Sequence, residues 1–442
     1  MRLSKSTLYL IAVVTALFSM NVNAQDFTLK QAQDYAVEHY YESVNAGLDI
    51  QKSKAKIWET TALGLPQVEV GGSYRFAADL EFDFDLSQGI PPGQDFIAVF
   101  AADNITRGSA QVNQLLFDGS YVVGLMAAKK FHEFSKAGKE KTDNDVRSMV
   151  ASSYYLVLVA DENLEVLNGS FNALNQSITE SSALVEQGFI EETELDQLEL
   201  MKSDLESSIQ SAQQTKDVSL KMLKLNMGMN LDNTLNLSDS LNTIVEQINL
   251  QALLAKKFDQ SNNPDLRVME IQRDLLALDL KRYKWQRLPT IASFYQAQGT
   301  AYQFDWDWLK DATWFDQHNV GLSVSMPIWS SGKQTTIIKQ AKLELTKMEN
   351  NLIHAQKAMS IQYTNALNNL STKSINFDNA KRSLKIANKI YTRTQVKHKE
   401  GLASSFELSQ MKNQVLQTQG KYIQSLFNLL NAKAELDKLK KQ

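Results

Sequence analysis

The sequence predicts a mainly α-helical protein with a β-barrel contribution: long antiparallel coiled-coil helices (an α-barrel) plus four transmembrane strands per chain, internally duplicated. Three observations favour this fold class. The six prolines leave 93–263 and 328–442 without proline, so long helices are uninterrupted there. Each half contains short regions in which apolar and polar residues alternate, as they do in strands. Landmark motifs of the first half recur in the same order in the second.

The composition excludes several classes of protein. With 43 % hydrophobic and 22 % charged residues, the chain is not expected to be disordered. The net charge is −4 and no basic cluster stands out, which argues against a nucleic-acid partner. The absence of cysteine excludes disulfides, thiolate metal sites, a cysteine nucleophile and a cysteine-linked lipid anchor.

Residues 1–24 have the pattern of a secretory signal peptide. Arg2 and Lys5 precede a mostly apolar core, and Val22-Asn23-Ala24 offers small residues at the cleavage positions, so we expect a mature chain from Gln25. The alternative is a membrane anchor, but the apolar core of about 13 residues is shorter than the roughly 20 that span a bilayer. No later stretch is apolar enough for a spanning helix, so a membrane span would have to use strands.

The chain repeats itself with a nearly constant offset. Gly64-Leu65-Pro66-Gln67-Val68 recurs 223 residues later as Arg287-Leu288-Pro289-Thr290-Ile291, and Gly188 to Leu195 recurs 213 residues later as Gly401 to Leu408. We therefore predict a first repeat over 25–235 and a second over 236–442, each with a helix, two strands and a long helical hairpin. The alternative is chance similarity between helical segments.

Helix starts and lengths follow from local signals. Thr28 and Gln31 fit a capping box, and Pro264 suits a first helical turn after Asn263. Long helices are expected over about 120–187 and 332–399, each roughly 100 Å long at 1.5 Å per residue. A seven-residue repeat predicts coiled-coil seams. The seam positions are Leu408, Val415, Tyr422, Leu429 and Leu436, and Leu198, Leu205, Ala212 and Ser219.

Strands are expected where the period changes to two. Val68 to Phe76 and Val320 to Ile328 alternate clearly, while 109–117 and 290–302 alternate less regularly. Aromatic and acidic stretches, 79–85 and 306–315, join each pair. One-faced apolar strands of about ten residues are typical of transmembrane barrels; a pair of soluble hairpins capping a helical bundle is the alternative. Four strands cannot close in lipid, so several chains must contribute: two would give a filled barrel and three a twelve-stranded bore.

Six motifs, which occur in the right order along the chain, resemble those of the TolC family of outer-membrane efflux proteins. The likeness extends from about Phe27 to Leu439. They are Asn262-Asn263-Pro264-Asp265-Leu266, Arg287-Leu288-Pro289, Gln114 to Gly119, Met326 to Gly332, and the turns at Gly188 and Gly401. Tyr41 replaces the first repeat's counterpart of Pro264, and Leu115 that of Pro327.

The resemblance implies a homotrimer in the bacterial outer membrane, with a twelve-stranded barrel and a long periplasmic α-helical tunnel. It implies an export channel without cofactors. Its substrates would come from a periplasmic adaptor (membrane-fusion) protein and an inner-membrane transporter, such as a resistance-nodulation-division pump or an ABC exporter. A periplasmic coiled-coil adaptor or scaffold without a membrane barrel is the alternative from another class.

Site residues follow from the same resemblance. Carboxylates just after the second glycine turn of the family ring the closed pore, which carries over to Glu407, with Gln410 where a second acid is often found and Glu194 at the matching first turn. Glu407 would either form this ring or pair with a lysine as a latch. We expect the tip turns to contact the adaptor and one strand to face lipid. The tip-turn residues are Gly188, Thr193, Gly401, Ser404 and Leu408, and the strand residues are Val320, Leu322, Val324 and Met326.

An enzyme is disfavoured by the absence of a recognisable site. The five histidines have no second metal ligand at helical spacing, and we interpret them as surface residues. No nucleophile elbow or phosphate-binding glycine loop is present.

Overall fold

The computed structural model describes residues 25–76, 104–246, 248, 250–255, 258–303 and 314–439. The predicted signal peptide, the predicted stretch 79–85 and residues 306–313 of the predicted stretch 306–315 lie outside the described residues; Trp314 and Phe315 belong to a strand. The chain divides into two compact units: residues 1–48, 137–268 and 353–442 form the first, and residues 49–136 and 269–352 the second.

The elements follow the predicted order of helix, two strands, long helix and second helix, twice. In the first repeat they are β1 (Gln25–Phe27), α1 (Leu29–His39), α2 (Tyr41–Ala62), β2 (Gln67–Phe76), β3 (Asn104–Phe117), α3 (Gly119–Glu186) and α4 (Glu192–Met227). They continue as β4 (Leu235–Leu237), α5 (Leu241–Glu246), α6 (Leu250–Ala255), a 3₁₀ turn (Gln260–Asn262), α7 (Pro264–Trp285), β5 (Thr290–Gln303), β6 (Trp314–Ser325), α8 (Lys333–Lys399) and α9 (Ser405–Lys438).

Corresponding elements of the two repeats have similar lengths. Helices α2 and α7 both have 22 residues, α3 and α8 have 68 and 67, and α4 and α9 have 36 and 34. Helix α2 starts at Tyr41, whereas the corresponding helix α7 starts at Pro264. The helix therefore begins at the equivalent position in both repeats, although the first repeat lacks the proline. The predicted internal duplication is confirmed in element order, and the boundary at 235/236 stays a prediction.

The predicted helix starts are confirmed. The Thr28 hydroxyl accepts a hydrogen bond from the Gln31 backbone N–H at 3.3 Å, and the Gln31 side chain accepts one from the Thr28 backbone N–H at 2.9 Å. Asn263 accepts a hydrogen bond from the Leu266 backbone N–H at 3.0 Å, while Pro264 occupies the first helical position, where no N–H is needed.

The core of the first unit lies along the seams that the seven-residue repeat predicts. Leu408, Val415, Leu429 and Leu436 are buried, as are all four seam residues of α4, and Tyr422 is half-buried. Two tyrosines on α3, Tyr154 and Tyr155, are also fully enclosed in this unit. The prediction that these stripes are core is confirmed.

The second unit contains a four-stranded antiparallel sheet in the order β2-β3-β5-β6. Its β6 pairs with β5 from Ala301↔Trp314 to Thr290↔Ser325. The predicted strand over 320–328 was therefore misplaced, since β6 begins six residues earlier and ends at Ser325. Met326 lies beyond the strand, immediately before Pro327, which has no N–H to continue the ladder.

No helix among the described residues combines the length and the apolar character needed to cross a membrane.

Candidate functional site

Two glycine turns, which we call the tip turns, join the helices of the long hairpins. Gly188 and Gly401 have φ values of 72° and 71°, in the left-handed region that glycine adopts without strain. The backbone N–H of Phe189 donates to the Leu184 carbonyl at 2.9 Å, and that of Leu402 to the Lys397 carbonyl at 2.8 Å, which closes both helix ends. Both glycines therefore cap the C-terminal ends of their helices.

A hydrogen-bonded cluster connects the two tip turns. Ser405, the first residue of α9, is fully buried and donates a hydrogen bond from Oγ to Glu194 Oε2 at 2.8 Å. His398, near the end of α8, places Nε2 at 3.0 Å from the same hydroxyl and 4.0 Å from Glu194 Oε2. We call Glu194, His398 and Ser405 the tip cluster. It joins the end of α8 and the start of α9 to the start of α4.

An ion pair beside the tip cluster gives a second connection. Lys399 Nζ lies 3.1 Å from Glu180 on α3. The hydrogen bond from Lys399 holds the pKa of the Glu180 carboxyl below its ordinary value. Two helical hairpins are therefore tied at their ends by two independent polar contacts.

The sequence analysis selected Glu194 but missed its partners. The interpretation of all histidines as surface residues was wrong for His398, whose side chain is only 11 % exposed. The two partners of Glu194 are close to Gly401 in sequence: His398 comes three residues before it and Ser405 four residues after it. Two polar residues on either side of a hairpin glycine could have been noticed in the local sequence. The third member of the tip cluster, Glu194, could not, because it is 211 residues from Ser405.

Glu407 occupies the first turn of α9, as predicted. Ser404 is the N-cap, and its hydroxyl accepts a hydrogen bond from the Glu407 backbone N–H at 3.2 Å. The Glu407 and Gln410 side chains are exposed. Within the described part of a single chain, Glu407 has no ion pair, so a lysine latch on Glu407 is not present there.

The other predicted tip residues differ in their exposure. Thr193 and Ser404 are exposed, and Thr193 Oγ1 donates to Glu191 Oε2 at 3.2 Å. Leu408 is buried against Leu174 and Leu198. Its burial corrects the expectation that Leu408 contacts a partner, because the seven-residue seam directs this side chain into the core.

One lysine of α9 is buried and has no carboxylate partner among the described residues. Lys412 is 5 % exposed, and its ammonium lies 5.0 Å from the centre of the Tyr391 ring. Burial lowers the pKa of Lys412, because removing the ammonium from water disfavours its charged form. The ring offsets part of this cost through a cation–π contact.

Replacement of Lys412 by methionine should stabilise the protein at neutral pH. The folded state binds this proton less tightly than the unfolded state, so wild-type stability rises with pH between the lowered pKa and the ordinary value of 10.5. The variant lacks this penalty, and we expect its free energy of unfolding to exceed the wild-type value by about 1 kcal/mol at pH 7 and by less near pH 10. Thermal melts at both pH values measure the difference.

Lys421→Met is the matched control, because Lys421 is an exposed lysine of the same helix. A loss of stability in Lys412→Met at both pH values, with Lys421→Met neutral, would contradict the account of Lys412 as an uncompensated buried charge.

The sheet presents an apolar stripe that no described residue covers. Val320, Leu322 and Val324 on β6 are 83 %, 69 % and 67 % exposed. On the other edge strand, β2, Val68 and Val70 are exposed as well. The intervening β6 residues on the opposite face are small or polar. They are Asn319, Gly321, Ser323 and Ser325.

Both edges of this sheet are open. Among the described residues, β2 and β6 each have a strand on one side only, so a row of backbone donors and acceptors along each outer edge has no strand partner. Such edges are templates for pairing with another chain.

The described residues contain no group of three or more histidine, aspartate or glutamate side chains placed to hold a metal ion.

Comparisons with known proteins agree with this geometry. The sequence profile of the outer membrane efflux protein family matches residues 260–440. No curated protein sequence matches the chain. The predicted outer-membrane location is confirmed by the family match.

Solved structures of outer-membrane channels have the same fold. CusC superposes with a TM-score of 0.72 at 16 % identity, over 95 % of this chain and 94 % of CusC. The open state of the MtrE outer membrane channel of Neisseria gonorrhoeae gives 0.70 at 15 % identity, over 93 % and 88 %. VceC, an outer membrane protein of Vibrio cholerae, gives 0.68 at 12 % identity, over 92 % and 94 %. The resemblance predicted from the six motifs is therefore confirmed: residues 260–440 match the outer membrane efflux protein family, and the chain has the fold of these channels over more than nine-tenths of its length.

Proposed function

We propose that the protein is a homotrimeric export channel of the outer membrane. Its strands form a twelve-stranded barrel, and its long helices form a periplasmic tunnel that receives substrates from an adaptor protein and an inner-membrane transporter. The transporter is a resistance-nodulation-division pump or an ABC exporter. The channel conducts passively and excludes traffic until the tip turns move apart.

The observation that carries this proposal is the open four-stranded sheet with its uncovered apolar stripe. Val320, Leu322 and Val324 would be costly to expose to water but are favourable against hydrocarbon. A sheet in hydrocarbon must have no free edge, because each unpaired backbone group costs several kcal/mol. Pairing β6 of one copy with β2 of the next, around a ring of three, removes every edge and leaves a barrel wide enough for a bore.

The helices of the first unit support assembly of several copies. Helix α8 exposes a row of large apolar side chains on the side away from its buried seam, and helix α4 exposes another. The residues on α8 are Ile361, Ile375, Ile386, Ile390 and Val396, and those on α4 are Leu200, Val218, Met222 and Leu225. Rows of this kind are unusual on a monomer and typical of an interface.

The tip residues receive distinct roles in this proposal. The tip cluster holds the two hairpins together in the closed channel. Glu407, exposed on the first turn of α9, lines the narrow end with its two symmetry copies, and Gln410 lies one turn further along. The tip turns, through Gly188, Thr193, Gly401 and Ser404, meet the adaptor protein.

A periplasmic adaptor or scaffold without a membrane barrel explains the long helices but not the sheet. A soluble hairpin pair would cover its apolar face with its own core, whereas here the stripe on β6 has no cover within the described residues. The export channel therefore accounts for more of the structure.

The mature protein, extracted in detergent, should behave as a trimer. Four strands per chain cannot close, so we expect the full strand content only in a species of three chains, measured by light scattering with correction for detergent and by circular dichroism. A stable monomer that retains its strand content would overturn the proposal.

A further inference from the structure

The last turns of α8 carry basic side chains that no acid interrupts. Between residues 379 and 399 there is no aspartate or glutamate. The basic residues of this segment, all exposed, are Lys381, Arg382, Lys385, Lys389, Arg393, Lys397 and Lys399. Within the described part of the chain, only Lys399 forms an ion pair. This segment corrects the expectation that no basic cluster stands out. We call it the basic face.

The beginning of α4 carries the opposite charge. Residues 191–206 contain seven acids and a single base, Lys202. Glu194 belongs to the tip cluster, and the remaining six acids are exposed and without an ion pair in the part of the chain that the structure describes. These six, which we call the acidic face, are Glu191, Glu192, Asp196, Glu199, Asp204 and Glu206.

The parts of the two faces nearest the tip turns lie at similar distances from them. The tip cluster fixes the end of α8 beside the start of α4, so distances along each helix can be counted from Lys399 and from Glu194. Lys397 and Asp196 are each two residues away, or about 3 Å at 1.5 Å per residue. Arg393 and Glu199 are six and five residues away, about 9 and 8 Å.

The match continues further from the tip. Lys389 and Asp204 are both ten residues away, about 15 Å, and the exposed apolar residues Ile375 and Val218 are both 24 residues away, about 36 Å. In a ring whose axis is parallel to the helices, the rotation that relates one copy to the next leaves these distances along the axis unchanged. Lys397, Arg393 and Lys389 of one copy can therefore meet acids of another copy at matching heights, whereas the bases at 381–385 lie beyond the end of the acidic face.

We propose that the basic face on α8 of one copy docks against the acidic face on α4 of the next copy, so that charge complementarity sets the order and register of the helices around the ring. The contact is head-to-tail, since each copy presents one face of each sign. This inference rests on the proposed homotrimer and assigns the side of each helix that forms the joint. Rows of unpaired charge at matched heights would also accelerate the encounter of two copies.

Charge reversal on each side tests the pairing. Arg393→Glu with Lys397→Glu reverses part of the basic face, and Asp196→Lys with Glu199→Lys reverses the facing part of the acidic face. We expect each reversed variant to lower the trimer-to-monomer ratio in detergent by about tenfold or more, because like charges then face each other at three joints. The variant with all four substitutions should recover the trimer. Circular dichroism of each variant checks that the helices remain folded.

Mixing provides a second arm. The variant reversed on the basic face is co-expressed with the variant reversed on the acidic face. Opposite charges then meet at every joint only if the two variants alternate around the ring, and a ring of three copies cannot alternate. We expect co-expression to leave the trimer depleted. In addition, wild-type assembly should slow when the salt concentration is raised from about 0.05 M to 0.5 M, because the Debye length shrinks below the spacing of the charges.

The outcomes separate this inference from the proposed function. A wild-type protein that stays monomeric overturns both. A wild-type trimer whose stability is unchanged by both reversals, or is not recovered by the fourfold variant, overturns the charge pairing and leaves the export channel standing.

Discussion

Val320→Arg should prevent the protein from accumulating as a membrane-inserted trimer. Val320 lies near the middle of β6 and is the most exposed residue of the apolar stripe. An arginine on the lipid face near the bilayer midplane costs about 2–4 kcal/mol per chain, and the cost recurs in each copy. The measurement is the amount of folded trimer recovered from outer membranes after expression at equal levels.

Asn319→Arg is the matched control. Asn319 adjoins Val320 at nearly the same depth but points to the opposite, polar face, where it pairs with Gln296 across the sheet. We expect this variant to insert normally and to narrow conduction. Equal recovery of both variants, or poorer recovery of Asn319→Arg, would reverse the assignment of the inner and outer faces. Val324 would be a weaker test position, because it lies one residue from the end of β6.

Glu194→Ala should open the channel. The substitution leaves the buried Ser405 hydroxyl and His398 without their carboxylate, and a hydrogen bond to a charged group contributes about 1.5–3 kcal/mol. Since about 1.4 kcal/mol changes an equilibrium tenfold, we expect the open probability in single-channel recordings to rise by at least an order of magnitude. The reason is that Glu194 connects the two hairpins, and in the proposed channel the tip opens when these hairpins separate.

Two acids nearby serve as comparisons. Glu192 is exposed on the same helix, and Glu192→Ala should leave the open probability unchanged. Glu407→Ala should reduce the preference for cations and the block by divalent cations without a change in open probability, because a ring of three carboxylates attracts cations to the axis. If Glu407→Ala raised the open probability and Glu194→Ala did not, the roles of the two residues would be exchanged.

Long helices were predictable because their signals are local. Helix α8 was expected over 332–399 and extends from Lys333 to Lys399, since it follows a glycine with positive φ, ends two residues before another and contains no proline. The seams of α4 and α9 were equally predictable, because a seven-residue spacing identifies the buried stripe wherever the partner helix lies.

The first half of β6 was not predictable. Residues 314–319, Trp-Phe-Asp-Gln-His-Asn, do not alternate and contain polar residues that strands disfavour. They are extended because β5 supplies a ladder through Ala301↔Trp314 and Gln296↔Asn319. The tip cluster was not predictable for a related reason: Glu194, His398 and Ser405 come from three helices, and their proximity depends on how the hairpins pack. Tertiary contacts, rather than local preference, decide both features.

Two asparagines govern the order in which this chain can fold. Asn144 on α3 donates to the Lys438 carbonyl at 2.6 Å, and Asn263, at the start of α7, donates to the Leu439 carbonyl at 3.1 Å. Ser148 similarly reaches the Ala434 carbonyl, 286 residues along the chain. Residues 434–439 must therefore have emerged before the core around α3 can close, and contacts of such long range slow folding. We therefore expect the core around α3 to stay open until residues 434–439 are available.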